Sequence, residues 1–105
     1  MFVKTFPEVT ADPGIRRQVL SDSPDLMVVA FRFQQEGAEG KLHNHPHVQS
    51  TYVESGRFRF TIDGESFDVS PGDSFVIPSN ALHGCVCLEP GTLVDTLTPR
   101  RDDFL

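Results

Sequence analysis

Apolar and polar residues alternate along several short segments of the chain. Between residues 27 and 34, apolar side chains occupy every second position, and the same pattern returns between residues 57 and 62. A period of two is typical of β-strands with one buried face. A helical period is hard to find anywhere in the sequence, so the pattern predicts a structure built mainly from strands.

Turn signals separate these segments at regular intervals. Asp63-Gly64 is a dipeptide favoured in tight hairpins, and Pro71-Gly72-Asp73 and Glu89-Pro90-Gly91 also indicate turns. The pattern predicts further strands at residues 2–6, 15–20, 67–69, 74–77, 83–88 and 92–97, a loop at 10–14 and a turn cluster at 21–25. Many short strands with frequent turns predict an all-β sandwich or barrel.

Length and composition agree with one folded domain. The chain has 105 residues, 38% of them hydrophobic and nine of them Phe, which is enough for a core without disulfide support. Its two cysteines, Cys85 and Cys87, are separated by one residue, a spacing that suits a disulfide poorly. We expect two reduced core cysteines, and a metal or redox role for the pair has only weak support.

The charge excludes some classes of function. A net charge of −6 argues against a nucleic-acid surface, which requires a basic patch. No window approaches the roughly 18 consecutive apolar residues of a membrane span. The first residues lack the basic start and apolar stretch of a signal peptide, so we expect a cytoplasmic protein.

The candidate chemistry lies in the histidines. The sequence places His43, His45 and His47 close together and His83 in a separate segment. If residues 43–49 form one strand, His43, His45 and Gln49 share a face, and a ligand from another strand could complete a metal site. Neutral imidazoles bind zinc, copper, iron and nickel. His-x-His alone is a modest signal, and a polar barrel lining is an equal alternative.

The flanking residues make the pattern more specific. The spacing of Gly37, His43, His45, Gln49 and Gly56 resembles the first sequence motif of the cupin family. The spacing of Gly72, Pro78, Asn80 and His83 resembles the second motif, so the two motifs cover residues 37–56 and 72–87.

The resemblance implies a cupin fold, which is a double-stranded β-helix or jelly-roll-type barrel, as a single domain over residues 1–105. It also implies one divalent transition metal (Ni, Zn, Fe or Mn) held by His43, His45, Gln49 and His83. His47 has the parity of a ligand, but the family pattern makes it a pocket wall or a residue supporting the ligands.

The departures from the family pattern concern the charge of the site. Gln49 occupies the usual position of Glu, Asn80 that of Gly, and Cys87 that of Asn. Without a carboxylate ligand, the metal keeps its full charge and favours an acidic substrate. The two-histidine, one-carboxylate set of many iron oxygenases is absent, which weakens an oxygenase function without excluding it.

Residues 43–53 and 83–105 resemble more specifically the KdgF group of pectin-degradation cupins. The resemblance implies ring opening of 4,5-unsaturated uronate monomers to the linear 5-keto-4-deoxyuronate, with Asp95, Arg101 and Gln49 as catalytic residues. A metal would stabilise a developing enolate, Asp95 could move a proton and Arg101 could bind the substrate carboxylate. Leu97 replaces the family's aromatic residue, which loosens the inference about substrate.

Several alternatives stay open at this point. Asp95 could be a capped or edge carboxylate, and Arg101 could belong to a solvated ion-pair cluster in the charged tail. The protein could instead be an iron-dependent dioxygenase, which would consume oxygen with ferrous iron, or a non-catalytic cupin that binds a small ligand. We expect a homodimer, because pairing would cover an open sheet edge.

Overall fold

The structure, a computed structural model, describes residues 2–105, and its regular secondary structure is almost all strand. Ten strands and one short 3₁₀ helix follow one another along the chain. The all-β class predicted from the alternation is confirmed. The strands are β1 (Glu8–Asp12), β2 (Ile15–Ser23), β3 (Leu26–Phe33), β4 (Glu39–His43), β5 (Val48–Val53), β6 (Arg57–Ile62), β7 (Glu65–Val69), β8 (Ser74–Ile77), β9 (His83–Glu89) and β10 (Gly91–Thr98), and the 3₁₀ helix is Asp102–Phe104.

Two antiparallel sheets form the fold. The larger sheet has the strand order β1-β2-β3-β10-β5-β8, and the smaller has the order β4-β9-β6-β7. In the larger sheet, β10 pairs with β3 on one side and with β5 on the other. This central position places Asp95 opposite Val29 on β3 and opposite Thr51 on β5.

Alternate side chains from both sheets form the core. Phe33 of the larger sheet meets Phe58 of the smaller sheet edge to face, with ring centroids 4.9 Å apart. This geometry is favourable for aromatic pairs and joins the two sheets. A second cluster of buried residues lies within the larger sheet and includes Met27, Val29 and Leu97. The period-two pattern therefore identifies the buried face of the central strands correctly.

The beginning of the fold differs from the sequence prediction. Residues 2–7 form no strand, and the first strand is Glu8–Asp12, which extends into the loop predicted at residues 10–14. β2 also continues to Ser23, through most of the predicted turn cluster. The reason is pairing: β1 and β3 flank β2 on both sides, and these hydrogen bonds override the weak strand propensity of Asp and Ser.

The segment from His43 to Gln49 is not one strand, as the parity argument assumed. His43 ends β4 in the smaller sheet, whereas Gln49 belongs to β5 in the larger sheet. Residues 44–47 cross from one sheet to the other. The two side chains therefore approach each other from different sheets rather than from one strand face.

The fold contains little helix. Among residues 2–105, no helix is long and apolar enough to cross a bilayer.

A substitution at Gly56 tests how tightly the turns fix the sheets. Gly56 and Gly64 both have positive φ, at 79° and 84°. Because side chains disfavour this backbone conformation, replacement of either glycine by Ala should lower the free energy of unfolding by about 1–2 kcal/mol. A Cβ at Gly56 would also lie 2.6 Å from the carbonyl oxygen of Glu89, whereas a Cβ at Gly64 would have no atom of the described part of the chain within 4 Å. We expect Gly56→Ala to lower the melting temperature clearly more than Gly64→Ala. Equal losses in thermal unfolding would show that the close approach is not rigid.

Candidate metal centre

Three histidines meet where β4, β9 and the 44–47 crossing come together. His43 and His83 are direct partners on neighbouring strands, with ring centroids 4.4 Å apart. The ring of His45 lies 4.8 Å from that of His83. One ring nitrogen from each of the three residues lies within 4.8 Å of the others, which is close enough to hold a metal ion.

A backbone carbonyl fixes the orientation of each ring. Nδ1 of His43 donates to the carbonyl oxygen of Lys41 at 2.8 Å, and Nδ1 of His83 donates to that of Ala81 at 2.9 Å. His45 repeats the arrangement toward the carbonyl oxygen of His47 at 3.1 Å. Because a carbonyl only accepts, Nδ1 carries the proton in each ring and Nε2 carries the lone pair. This arrangement is typical of histidines that bind metals through Nε2.

The buried part of the centre favours neutral imidazoles. His45 is 6% exposed and His83 is 3% exposed. Burial lowers the pKa of both side chains below the usual value, because desolvation disfavours the imidazolium, and the Arg101 charge acts in the same direction. Nε2 of His83 is buried, and no group among residues 2–105 forms a hydrogen bond with it. These histidines are therefore held ready to donate a lone pair rather than a proton.

Gln49 adds an oxygen to the three nitrogens. Its Oε1 lies 3.1 Å from Nε2 of His45, so two atoms with lone pairs face each other. A cation placed between them would satisfy both atoms. The structure thus brings together all four residues of the predicted ligand set, and the donor set of three imidazoles and one amide fits a divalent transition metal.

A buried chain of hydrogen bonds holds the Gln49 amide in place. Nε2 of Gln49 donates to Oγ1 of Thr51 at 3.0 Å, and the Thr51 hydroxyl donates to Oδ1 of Asp95 at 2.7 Å. Because the amide nitrogen points to Thr51, the amide oxygen points to His45. Thr51 is fully buried and was not among the predicted site residues. Its parity with Gln49 on β5 was the signal available in the sequence.

Asp95 is a buried acid rather than an edge carboxylate. It lies in a central strand and is 7% exposed. Burial raises the pKa of Asp95 to about 7, although hydrogen bonds from Thr51 and Gln49 favour the ionised form. A carboxyl with this pKa is populated in both protonation states near neutral pH, which suits proton transfer.

One cavity connects these groups. It has a volume of about 430 Å³ and is lined by residues that include His43, His83, Gln49, Asp95 and Arg101. Such a volume suits a small organic ligand. His43, His83 and the three predicted catalytic residues therefore share one chamber inside the barrel.

The segment after β10 closes one side of the cavity. Arg101 lines the chamber, and its guanidinium also contacts the Asp103 carboxylate at 3.2 and 2.7 Å and lies 4.3 Å from the ring centroid of Phe104. Arg101 therefore belongs both to an ion pair and to the cavity wall, which were the two alternatives predicted for it. Phe104 packs against the cluster that contains Leu97, so an aromatic ring reaches this wall although position 97 has none.

The other candidates lie outside the histidine centre. His47 contributes its carbonyl oxygen to the orientation of His45, and its own Nε2 lies 3.2 Å from the carbonyl oxygen of Arg100. Cys85 and Cys87 are both free thiols, as expected. Burial raises the pKa of Cys85 to about 12, so this thiol in the cavity wall is a poor nucleophile.

Replacing Thr51 tests the support of Gln49. Thr51→Val removes the hydroxyl that accepts from the amide, while Thr51→Ser keeps it. Because residues behind metal ligands change metal affinity by about 10- to 100-fold, we expect the valine variant to bind zinc or nickel at least about tenfold more weakly. Competition with a chelator measures this, and the serine variant should bind nearly like the wild type. Equal affinity in all three proteins would contradict the supporting role.

Asp95→Asn tests the burial of the acid. The unfolded chain has a carboxyl pKa of about 3.9, and burial raises the pKa of Asp95 to about 7 in the fold. Stability should therefore be lost as the pH rises from about 4 to about 7, because the fold disfavours the ionised form. We expect Asp95→Asn to be more stable than the wild type at pH 8, by on the order of a few kcal/mol, and to lose this advantage near pH 4. Denaturant unfolding of metal-free protein measures this, and a difference that does not change with pH would contradict the assignment.

The sequence of this chain is similar to those of known proteins. The sequence matches the cupin domain family over residues 30–96. It is 43% identical, over 94 residues, to the pectin degradation protein KdgF of Dickeya dadantii (strain 3937). The alignment covers 88% of this chain and 84% of the relative.

Solved structures show the same similarity over nearly the whole chain. KdgF from Halomonas sp. superposes with a TM-score of 0.90 at 40% identity and covers 97% of this chain and 98% of its own. An RmlC-like cupin from Shewanella frigidimarina NCIMB 400 also has a TM-score of 0.90, at 39% identity, with 95% and 89% of the two chains covered.

Proposed function

Since the chain belongs to the cupin family, and within it to the group of the pectin degradation protein KdgF, we propose that it is a metal-dependent enzyme of pectin and alginate breakdown. Its proposed reaction opens the ring of 4,5-unsaturated uronate monomers to give the linear 5-keto-4-deoxyuronate. The observation that supports this most directly is the buried Asp95 in the same cavity as His43 and His83, two members of the three-histidine cluster.

The metal is proposed to bind His43, His45, Gln49 and His83. The convergence of the three rings, the carbonyl groups behind them and the Gln49 oxygen support this set. A divalent ion (Ni, Zn, Fe or Mn) in this neutral set would supply a Lewis acid with its full positive charge. Such a charge attracts a sugar acid more strongly than a neutral sugar.

The reaction is an isomerisation in which no atom enters or leaves. The proton of the C1 hydroxyl passes to a base, the bond between C1 and the ring oxygen breaks, and an aldehyde forms at C1. The ring oxygen keeps the electron pair, so that an enolate remains at C5. A proton then adds at C4, and C5 becomes a ketone. One protein group can therefore take up the proton and return it.

Asp95 is proposed as that proton-transferring group. Its ionised form takes the proton from the C1 hydroxyl, and the carboxylic acid then protonates C4. Burial of the carboxyl strengthens such charge interactions. Thr51 and Gln49 hold the carboxyl in one orientation by hydrogen bonds, which keeps it aimed during both steps.

Arg101 is proposed to bind the substrate carboxylate. Its guanidinium lines the cavity and lies against the Phe104 ring, which limits its orientations. A planar guanidinium pairs with a carboxylate through two hydrogen bonds. Leu97 and Phe104 form the apolar wall beside it. A homodimer and a cytoplasmic location stay predictions from the sequence.

The test follows the ultraviolet absorbance of an unsaturated uronate monomer, which disappears when the ring opens and C4 is protonated. We expect the metal-loaded protein to accelerate this loss well above the spontaneous rate. Asp95→Asn should slow it by about 100-fold or more, because a general acid–base contributes about 10² to 10⁴. The exposed acid Asp68, which pairs with Arg59 on the outer face, offers a matched control as Asp68→Asn.

The double variant His43→Ala, His45→Ala separates chemistry from folding. It should lose stoichiometric metal, measured by elemental analysis, and lose activity while circular dichroism shows a folded β protein. Metal retained at full stoichiometry would overturn the ligand assignment. A wild-type rate no faster than the spontaneous reaction, with metal present, would overturn the proposed reaction.

A further inference from the structure

An arginine points into the barrel from β2. Ile15 and Val19 are buried at 3% and 5% exposure, and Arg17 lies midway between them with the same parity. The residue lines the cavity that also contains His43 and Asp95. Its guanidinium carbon lies 4.1 Å from the ring centroid of Phe104. The alternation along β2 thus places a cation where an apolar side chain would otherwise belong.

The neighbouring arginine behaves differently. Arg16 faces outward and forms an ion pair with Glu8 at 3.0 Å. Arg17 has no carboxylate within 4.0 Å in any ion pair among residues 2–105. Moving a cation from water into a partly apolar chamber is unfavourable unless something compensates its charge. The Phe104 ring compensates part of it, and a bound anion would compensate the remainder.

Charge balance gives Arg17 a role that Arg101 alone does not fill. The Arg101 guanidinium already contacts the Asp103 carboxylate through two hydrogen bonds. Those two side chains together carry no net charge. Arg17 also acts on the same carboxylate at longer range, since its charge helps to lower the pKa of Asp103 after the larger effect of the Arg101 hydrogen bond. The group of three side chains therefore has one net positive charge, and Arg17 supplies it.

The position of Arg17 leaves room for a sugar between it and the reacting groups. Asp95, Val29 and Val19 form one row across three neighbouring strands, and Arg17 is the next inward residue along β2. Two strand spacings correspond to about 10 Å. An anion at Arg17 and Arg101 would thus be held at the opposite side of the chamber from the Thr51-bound carboxyl of Asp95.

We propose that Arg17 binds the carboxylate of the substrate together with Arg101, and that it selects singly charged sugar acids over neutral sugars. The inference rests on the proposed function for the identity of the reacting sugar. It adds a substrate-binding residue on β2, outside both histidine segments and outside the tail.

The experiment compares Arg17→Gln with Arg16→Gln in the metal-loaded protein. We expect Arg17→Gln to raise KM for the unsaturated uronate by about tenfold or more, because a charge-assisted contact is lost, while kcat changes less than about threefold. Arg16→Gln should leave both constants unchanged. Arg17→Lys keeps the charge and should restore most of the affinity. Metal content and melting temperature show whether each variant is correctly folded.

A second measurement does not depend on turnover. Binding of D-galacturonate, a saturated uronate, is measured by calorimetry with galactose as the neutral comparison. We expect the wild type to bind the acid in preference to the neutral sugar, and Arg17→Gln to lose the preference. Such a result without any ring opening would uphold the anion site and overturn the proposed reaction. Ring opening with an unchanged KM and unchanged galacturonate binding in Arg17→Gln would overturn the role of Arg17 alone.

If Arg17→Gln fails to fold, Arg17→Lys and Arg17→Met decide the matter. The lysine variant should bind galacturonate and the methionine variant, which keeps the apolar stem, should not. Equal binding by both would overturn the proposal.

Discussion

Three backbone carbonyl groups determine the chemistry of the histidine centre. The carbonyl oxygens of Lys41, Ala81 and His47 each accept a hydrogen bond from Nδ1–H of one histidine, which leaves the lone pair on Nε2. These carbonyls belong to the backbone near strand ends, so ring orientation follows from how β4 and β9 pair and how residues 44–47 cross between sheets. Backbone geometry is less sensitive to substitution than side-chain contacts, and the centre is correspondingly well defined.

The hydrogen-bonded residues behind the histidine centre, Gln49, Thr51 and Asp95, reduce the stability of the fold in favour of function. Asp95, Thr51 and Gln49 are buried in the larger sheet, and each polar atom that is satisfied there helps to orient the next one. A hydrophobic side chain at position 95 would pack against Val29 without a charge to desolvate. The protein keeps an acid there, and desolvation of its ionised form is the main cause of the raised pKa of Asp95. Such unfavourable burial is characteristic of functional sites rather than of structural cores.

Much of the fold was predictable because strand alternation is local. The pattern identified the central strands and their buried faces from adjacent residues alone, as at Met27 and Val29. It missed β1 and the far end of β2, since pairing with strands elsewhere in the chain decides those segments. The resemblance supplied the four candidate ligands. His43 and Gln49 do not share one strand face as predicted, because the chain changes sheets between them, which parity cannot show.

Two residues of the cavity region were not identified from the sequence, and the reason is the same for both. Thr51 and Arg17 lie beside groups that are far away in sequence, and only the barrel brings them to Asp95 and Phe104. Both share parity with a notable neighbour, Gln49 in one case and Ile15 in the other. An inward-facing polar residue on a half-buried strand was therefore visible in the alternation, although its partner was not.

The register of β2 has a consequence for electrostatics as well as for packing. Successive residues of a strand face opposite sides, so a shift of β2 by one position would exchange Arg16 and Arg17. The composition and net charge of the protein would be unchanged, yet Ile15 and Val19 would move to solvent. The hairpin that pairs Asp12 with Ile15 opposes such a shift. A one-residue change in the pairing of β2 with β3 would thus reverse which arginine faces the chamber, so that a change far from the histidines would alter the field inside the barrel.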